Sequence, residues 1–183
     1  MAKVLRADLK RQLRDFTPVF REELDLIRPF ELMLAHPDAY FRDHLPGHLT
    51  GSTWIVNPDR THALLIHHTK LNRWLQPGGH ADGDEDILGV ALREATEETG
   101  LGDLRLVHPT FFDIDIHPIP ASSDFPDHDH YDVRFLVEAS DGEPIVINKE
   151  SKAAKWFPLD KVSLATGFES SLLRMAAKCR TLA

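Results

Sequence analysis

The sequence predicts an α/β protein, a mixed β-sheet with helices packed on it, preceded by an N-terminal helical extension. Three patterns carry that reading. Apolar residues recur at helical spacing near both ends of the chain and between Asp84 and Thr99. Between them lie short runs rich in β-branched and aromatic residues, bounded by Gly, Pro, Asn and Asp. Strands and helices do not alternate strictly, which points to a mixed rather than a purely parallel sheet.

Residues 1–46 form the extension. Val4, Leu5, Leu9, Leu13 and Phe16 share one helical face. Thr17-Pro18 reads as a second helix start, with Pro29 and Pro37 punctuating further short helices. Residues 47–183 form the main domain. His48–Val56 and Thr61–His68 make a hairpin around Asn57-Pro58-Asp59. Trp74–Gln76 runs into a break at Pro77-Gly78-Gly79. Asp84–Thr99 is a helix capped by Asp84 or Asp82 and stopped by Gly100. Leu104–Ile116 is one long strand or two broken ones, Ala121–His130 a polar loop, and Tyr131–Ala139 and Ala154–Phe157 are strands. Thr166-Gly167-Phe168-Glu169 reads as a capping box for a last helix, whose apolar face holds Phe168, Leu172, Met175, Ala176 and Cys179. Cys179 is therefore expected in the core and not as a nucleophile.

Composition narrows the function classes. The formal net charge of −8 argues against tight binding to bare nucleic acid. No apolar stretch approaches membrane-spanning length, and the first residues lack the apolar run of a signal peptide. A single cysteine excludes an intrachain disulfide and fits a reducing cytoplasm. Acidic residues crowd between Asp82 and Glu150, as a cation site would require.

The helix after Asp84 concentrates that charge. Leu88, Leu92, Ala95 and Thr99 form a stripe for packing on the sheet. Glu94, Glu97 and Glu98 lie at i, i+3 and i+4 on a face bordering that stripe, so they should stand at the edge of a cleft. Arg93 is the nearby balance, placed to pair with Glu97 at i+4. Glu94 and Glu98 repel each other, and a divalent cation would remove that penalty. Hard ions such as Mg²⁺ and Mn²⁺ take such oxygen ligands. A solvated charged face is the plainer alternative.

Gly79, Glu85, Arg93, Glu94, Glu97, Glu98 and Gly100 stand as G-x5-E-x7-R-E-x-x-E-E-x-G, with Leu101 as an aliphatic ending. This segment resembles the Nudix box in full, with only Ala95 atypical. By background residue frequencies, a chance match is rarer than roughly one in a million. The resemblance extends from about Gly47 to Leu164 and includes the ending Glu150…Ala154-Lys155-Trp156-Phe157-Pro158-Leu159. It implies an α/β/α sandwich with a mixed sheet. It also implies hydrolysis of a phosphoanhydride in a nucleoside diphosphate linked to another moiety, for example ADP-ribose or a nucleotide sugar, with Mg²⁺ or Mn²⁺ as cofactor. A small nucleotide-derived substrate and a homodimer are the implied partners.

By the same resemblance Glu94, Glu97 and Glu98 are metal ligands or, for one of them, the base. The Gly79 carbonyl adds a ligand, and Arg93 orients a glutamate. Glu85 braces the loop before the helix, and Gly100 ends it. Glu150 is a second candidate base. His67 and His68 end a strand, and His80 follows Gly79. His117, His128 and His130 flank the polar loop, interleaved with Asp113, Asp115, Asp127 and Asp129. The residues leave three readings open. One is substrate binding through His80, His117, His128, His130 and Arg134 against phosphate, with Tyr131 or Phe112 against a base ring. Another is a nitrogen-liganded second metal at His117, His128 and His130. The last is plain polar structure. Two alternatives to hydrolysis are a non-catalytic Nudix ligand-sensing domain and an isopentenyl diphosphate isomerase-like enzyme, which would need an active-site cysteine.

Overall fold

Leu9 and Leu13 lie one helical turn apart, so a helix puts them on one face. In the computed structural model, which describes residues 2–123, 125–167 and 169–182, that helix is α1 (Arg6–Asp15), and both leucines are buried. The next helix is α2 (Arg21–Ala35). It starts beyond Thr17-Pro18 because Glu23 reaches back and accepts the Val19 and Phe20 N–H groups, each at 2.9 Å. Pro29 does not break it. Phe30, Met33 and Leu34 are buried just beyond the proline, and that burial offsets a local cost of about 3 kcal/mol.

β1 (Gly47–Val56) is buried along its whole length. β2 (His62–His68) returns antiparallel to it. The Asn57 side chain holds the turn by accepting the Thr61 and His62 N–H groups. β3 (Arg73–Leu75) pairs with β2. Gly78–His80, a break by sequence, is a short strand, β4, paired antiparallel with Thr50–Ser52 of β1. α3 (Ile87–Thr99) follows. Its N-cap is neither Asp82 nor Asp84 but Asp86, which accepts the Gly89 N–H. Asp82 is engaged by Arg42, and Asp84 by the Asp86 N–H. At the other end Gly100 takes φ +72°, the left-handed conformation that glycine adopts without a side-chain penalty.

Leu104–Ile116 resolves into two strands, β5 (Arg105–Leu106) and β6 (Asp113–Ile119). β7 (His128–Glu138) runs parallel to β1 throughout and antiparallel to β6. It starts before Tyr131, so His128 and His130 are strand residues, not loop residues. β8 (Ser151–Pro158) pairs with β2. α4 (Val162–Thr166) and α5 (Ser170–Thr181) close the described chain. Thr166 belongs to α4, and α5 is capped by Glu169, which accepts the Leu172 N–H. Phe168 lies outside the described residues.

The strand order is β3-β2-β1-β7-β5, with β4 on β1, β6 on β7 and β8 on β2. This mixed sheet has helices on both faces. On one, Leu49, Val133, Phe135 and Val137 meet α3 through Ile87, Leu88, Val90 and Ala91. The same cluster takes Leu9 and Leu13 of α1 and Phe30, Met33 and Leu34 of α2, so the N-terminal helices share the core of the sheet. On the other face Trp54 and Leu136 meet Leu172, Met175 and Cys179 of α5. Cys179 is buried.

Asp113 sits under α5 and is fully buried. It accepts from Arg174 at 2.8 and 2.9 Å, from Lys178 at 2.7 Å and from Arg134 at 3.2 Å. Lys178 also pairs with Glu23 of α2. Burial works against ionisation of Asp113, yet the Arg174 hydrogen bonds and the Arg134 and Lys178 charges outweigh it and hold the carboxyl below its usual range. One carboxylate thus joins β7 and α5 to β6, and Lys178 carries the link on to α2.

Candidate active site

α3 lies against β4, and that contact orders its carboxylates. Glu98 is 3% exposed and its Oε2 accepts the Gly78 N–H at 2.9 Å. Glu94 packs over Gly79 so closely that a Cβ there would fall 2.5 Å from its Oε2. Arg93 donates to Glu94 at 2.9 Å and to the His80 carbonyl at 3.4 Å. Its distance to Glu97 is 4.0 Å, so the neighbouring Glu94 and not the i+4 Glu97 takes the guanidinium. The Glu97 side chain is the most open of the three, at 59% exposed.

Electrostatics mark this edge as unbalanced. Burial pushes the Glu98 carboxyl up to about 8, helped by the Glu94, Glu150 and Glu97 charges and opposed by the Gly78 N–H. Burial also raises Glu94, against the Arg93 hydrogen bond and charge. The exposed Glu150, in the loop before β8, adds to the negative charge felt at this edge. A buried carboxylate with so little positive partner charge is costly. The oxygen-only donor set, the glycine at closest approach and the raised carboxyls all fit a hard divalent cation.

Gly79→Ala tests that approach. The new Cβ must displace Glu94, so hydrolytic turnover should fall by about 10–100-fold with little change in melting temperature. Unchanged turnover would show that the Glu94 position does not matter.

Glu85 pairs with Arg6 of α1 at 2.8 Å. Arg6 also donates to the His36 and Pro37 carbonyls, at 2.7 and 2.8 Å, which links the loop before α3 to the N-terminal helices.

The strand register explains the histidines. His48 lies opposite His130 and His130 opposite His117, while His80 pairs with Thr50. Side chains two apart on a strand share a face, so His128, His130, Asp132 and Arg134 point the same way. His48, His80, His128 and His130 converge until one ligand atom from each lies within 4.8 Å of the others. His117 stands outside that group. Its Nδ1 lies 3.4 Å from Asp115, and its ring centre is 5.5 Å from His130.

Three expected contacts with substrate are corrected, Arg134 and the two aromatic candidates Tyr131 and Phe112. Arg134 is 2% exposed and is held by Asp132 at 2.8 Å, Asp115 at 3.1 Å and Asp113, so its charge is consumed inside the protein. Tyr131 is on the opposite face of β7, edge-on to Phe30 of α2 at 5.3 Å. Phe112 packs in the α5 cluster. His48 was missed, although its place in the alternation His48-x-Thr50-x-Ser52 was a signal for it.

The family model for the NUDIX domain matches residues 48–179. The chain belongs to the NUDIX family. Over 107 residues it is 31% identical to the rat asymmetrical bis(5'-nucleosyl)-tetraphosphatase, covering 58% of this chain and 69% of that protein. Over 101 residues it is 30% identical to subunit 2 of the Arabidopsis mRNA-decapping enzyme, covering 52% of this chain but only 26% of the plant protein. A NUDIX hydrolase from Clostridium perfringens superposes with a TM-score of 0.60 at 23% identity, over 74% of this chain and 98% of that one. A Caenorhabditis elegans Ap4A hydrolase superposes at 0.55 with 17% identity, over 73% and 93%. At these identities the two structures establish the fold. Family and homologues make this Nudix chain a pyrophosphohydrolase. The isomerase alternative fails on Cys179, which is buried under the sheet and away from α3.

Proposed function

We propose that this protein hydrolyses the phosphoanhydride of a nucleoside diphosphate linked to a second moiety, with Glu94, Glu97, Glu98 and the Gly79 carbonyl holding Mg²⁺ or Mn²⁺. The observation that carries this reading is the packing of Glu94 and Glu98 on Gly79 and Gly78, which leaves several carboxylates facing one guanidinium. When bound, the ion supplies charge neutralisation at the phosphates and lowers the pKa of a water. The residues do the rest. Glu98, fixed by the Gly78 N–H, and Glu94, fixed by Arg93, present oxygens in a set geometry. Glu150, the exposed carboxylate outside the helix, is the candidate to accept the proton of the attacking water. Water adds to phosphorus as the bridging P–O bond breaks, and the leaving phosphate carries the electron pair. Positioning and electrostatics dominate such a step.

Glu85 and Gly100 act on this site through structure alone, Glu85 by tying the loop before α3 to Arg6 and Gly100 by ending the helix. His117, which stands outside the four-histidine group, stays a candidate contact for a phosphate. The test is a panel of ADP-ribose, nucleoside diphosphate sugars, dinucleoside polyphosphates and nucleoside triphosphates with Mg²⁺ or Mn²⁺, read by phosphate release after phosphatase coupling. Turnover of a nucleoside diphosphate conjugate or dinucleotide above the triphosphates supports the proposal. Turnover confined to triphosphates, or none, overturns it.

A further inference from the structure

We propose that His48, His80, His128 and His130 form a second, all-imidazole site that binds one zinc-class divalent ion and clamps β1, β4 and β7 together. The site is distinct from the carboxylates of α3 and does not depend on the hydrolytic reading.

The geometry is close to a ligand set already. His128 Nε2 and His130 Nε2 are 3.2 Å apart. Two imidazoles on a tetrahedral zinc, with Zn–N of about 2.0–2.1 Å, stand about 3.4 Å apart. His48 is fully buried, and its Nε2 has no hydrogen-bond partner among the described residues. A buried ring nitrogen left without a partner is costly, and a metal would satisfy it. The outward nitrogens are oriented as metal-bound histidines usually are, with one ring nitrogen toward a backbone carbonyl. His128 Nδ1 lies 2.9 Å from the Pro126 carbonyl and His48 Nδ1 3.5 Å from the His44 carbonyl.

Charge and chemistry agree. The neutral imidazole is the ligand form, and the four rings are sheltered, His48 buried and the other three partly so. The group contains no carboxylate. Four borderline nitrogen donors select zinc-like ions over Mg²⁺, which requires oxygen and keeps its waters. Four protein ligands also leave no open position, as in structural zinc sites. The ligands come from three strands adjacent through β1, so the ion would fasten β4 and the start of β7 to it.

The test is zinc titration of chelator-stripped full-length protein by calorimetry, with melting temperature as a second readout. One equivalent should bind at micromolar affinity or tighter and raise the melting temperature, and millimolar Mg²⁺ should not compete. His128→Ala and His130→Gln should each weaken binding by at least about 100-fold. Glu98→Gln should leave it unchanged. Co²⁺ in place of zinc should give the intense visible bands of a tetrahedral site, lost in His128→Ala. If His48→Ala does not fold, the partly exposed His128 still decides the matter. Absent stoichiometric binding, binding that survives the histidine changes, or binding abolished by Glu98→Gln would each overturn the proposal.

Discussion

Glu98→Gln and Glu97→Gln should each reduce metal-dependent hydrolysis on the order of 10³-fold or more, and Glu98→Gln should at the same time stabilise the metal-free protein. The two effects have one cause. Glu98 is nearly inaccessible, and its carboxyl is raised to about 8 because burial opposes its charge. A carboxyl raised on folding contributes full stability below its unfolded pKa, near 4.5, and that stability is lost as pH rises toward 8. Glutamine keeps an oxygen for the Gly78 N–H and cannot ionise. In chelator, the stability difference between the variant and wild type should therefore widen in the variant's favour from pH 5 to pH 8. It should reach on the order of 4 kcal/mol. Taking the difference cancels the buried histidines, whose depressed values act with the opposite sign. Thermal denaturation across this range, with turnover measured on the same samples, checks both halves. A variant that keeps turnover, or a difference that does not vary with pH, would contradict the account.

The largest expected structural effect is at Asp113. Asp113→Ala leaves Arg174, Arg134 and Lys178 buried without their shared carboxylate. Breaking a buried ionic group from one side costs about 3–5 kcal/mol. For a chain of this size that lowers the melting temperature by roughly 10 °C or more. The loss should exceed that of Glu85→Ala, because the Arg6–Glu85 pair is partly exposed and so worth little. Acid should act on the same network. Burial opposes the charge on Asp115, but Arg134 and His117 depress its carboxyl, as the Arg174, Arg134 and Lys178 partners depress Asp113. Their stabilisation is present above about pH 4 and lost as pH falls below it. An Asp113→Ala protein as stable as wild type would show that the network is not needed for the fold.

The hydrophobic period located almost every element. The box spacing from Gly79 to Leu101 by itself places the glutamates on one edge of α3. What was illegible has physical reasons. Pro29 looked like a breaker because the burial of Phe30, Met33 and Leu34 around it is a tertiary effect. Gly78–His80 looked like a break because its pairing partner lies almost thirty residues back, in β1. Arg134 looked like a phosphate ligand because sequence does not reveal three aspartates from two strands closing on it. The histidines show the limit most clearly. Spacing grouped His117 with His128 and His130, whereas the register of β1, β4 and β7 replaces His117 with His48 and His80.

On the proposed reading, the α3 carboxylates packed on Gly78 and Gly79 hold a divalent cation. Titration of Mn²⁺ into chelator-stripped protein, followed by the loss of the free-ion paramagnetic signal, measures that binding without a substrate. Wild type should bind Mn²⁺ saturably, Mg²⁺ should displace it, and Glu98→Gln should weaken binding at least tenfold while His128→Ala leaves it intact. Equal Mn²⁺ binding by wild type and Glu98→Gln would contradict the claim.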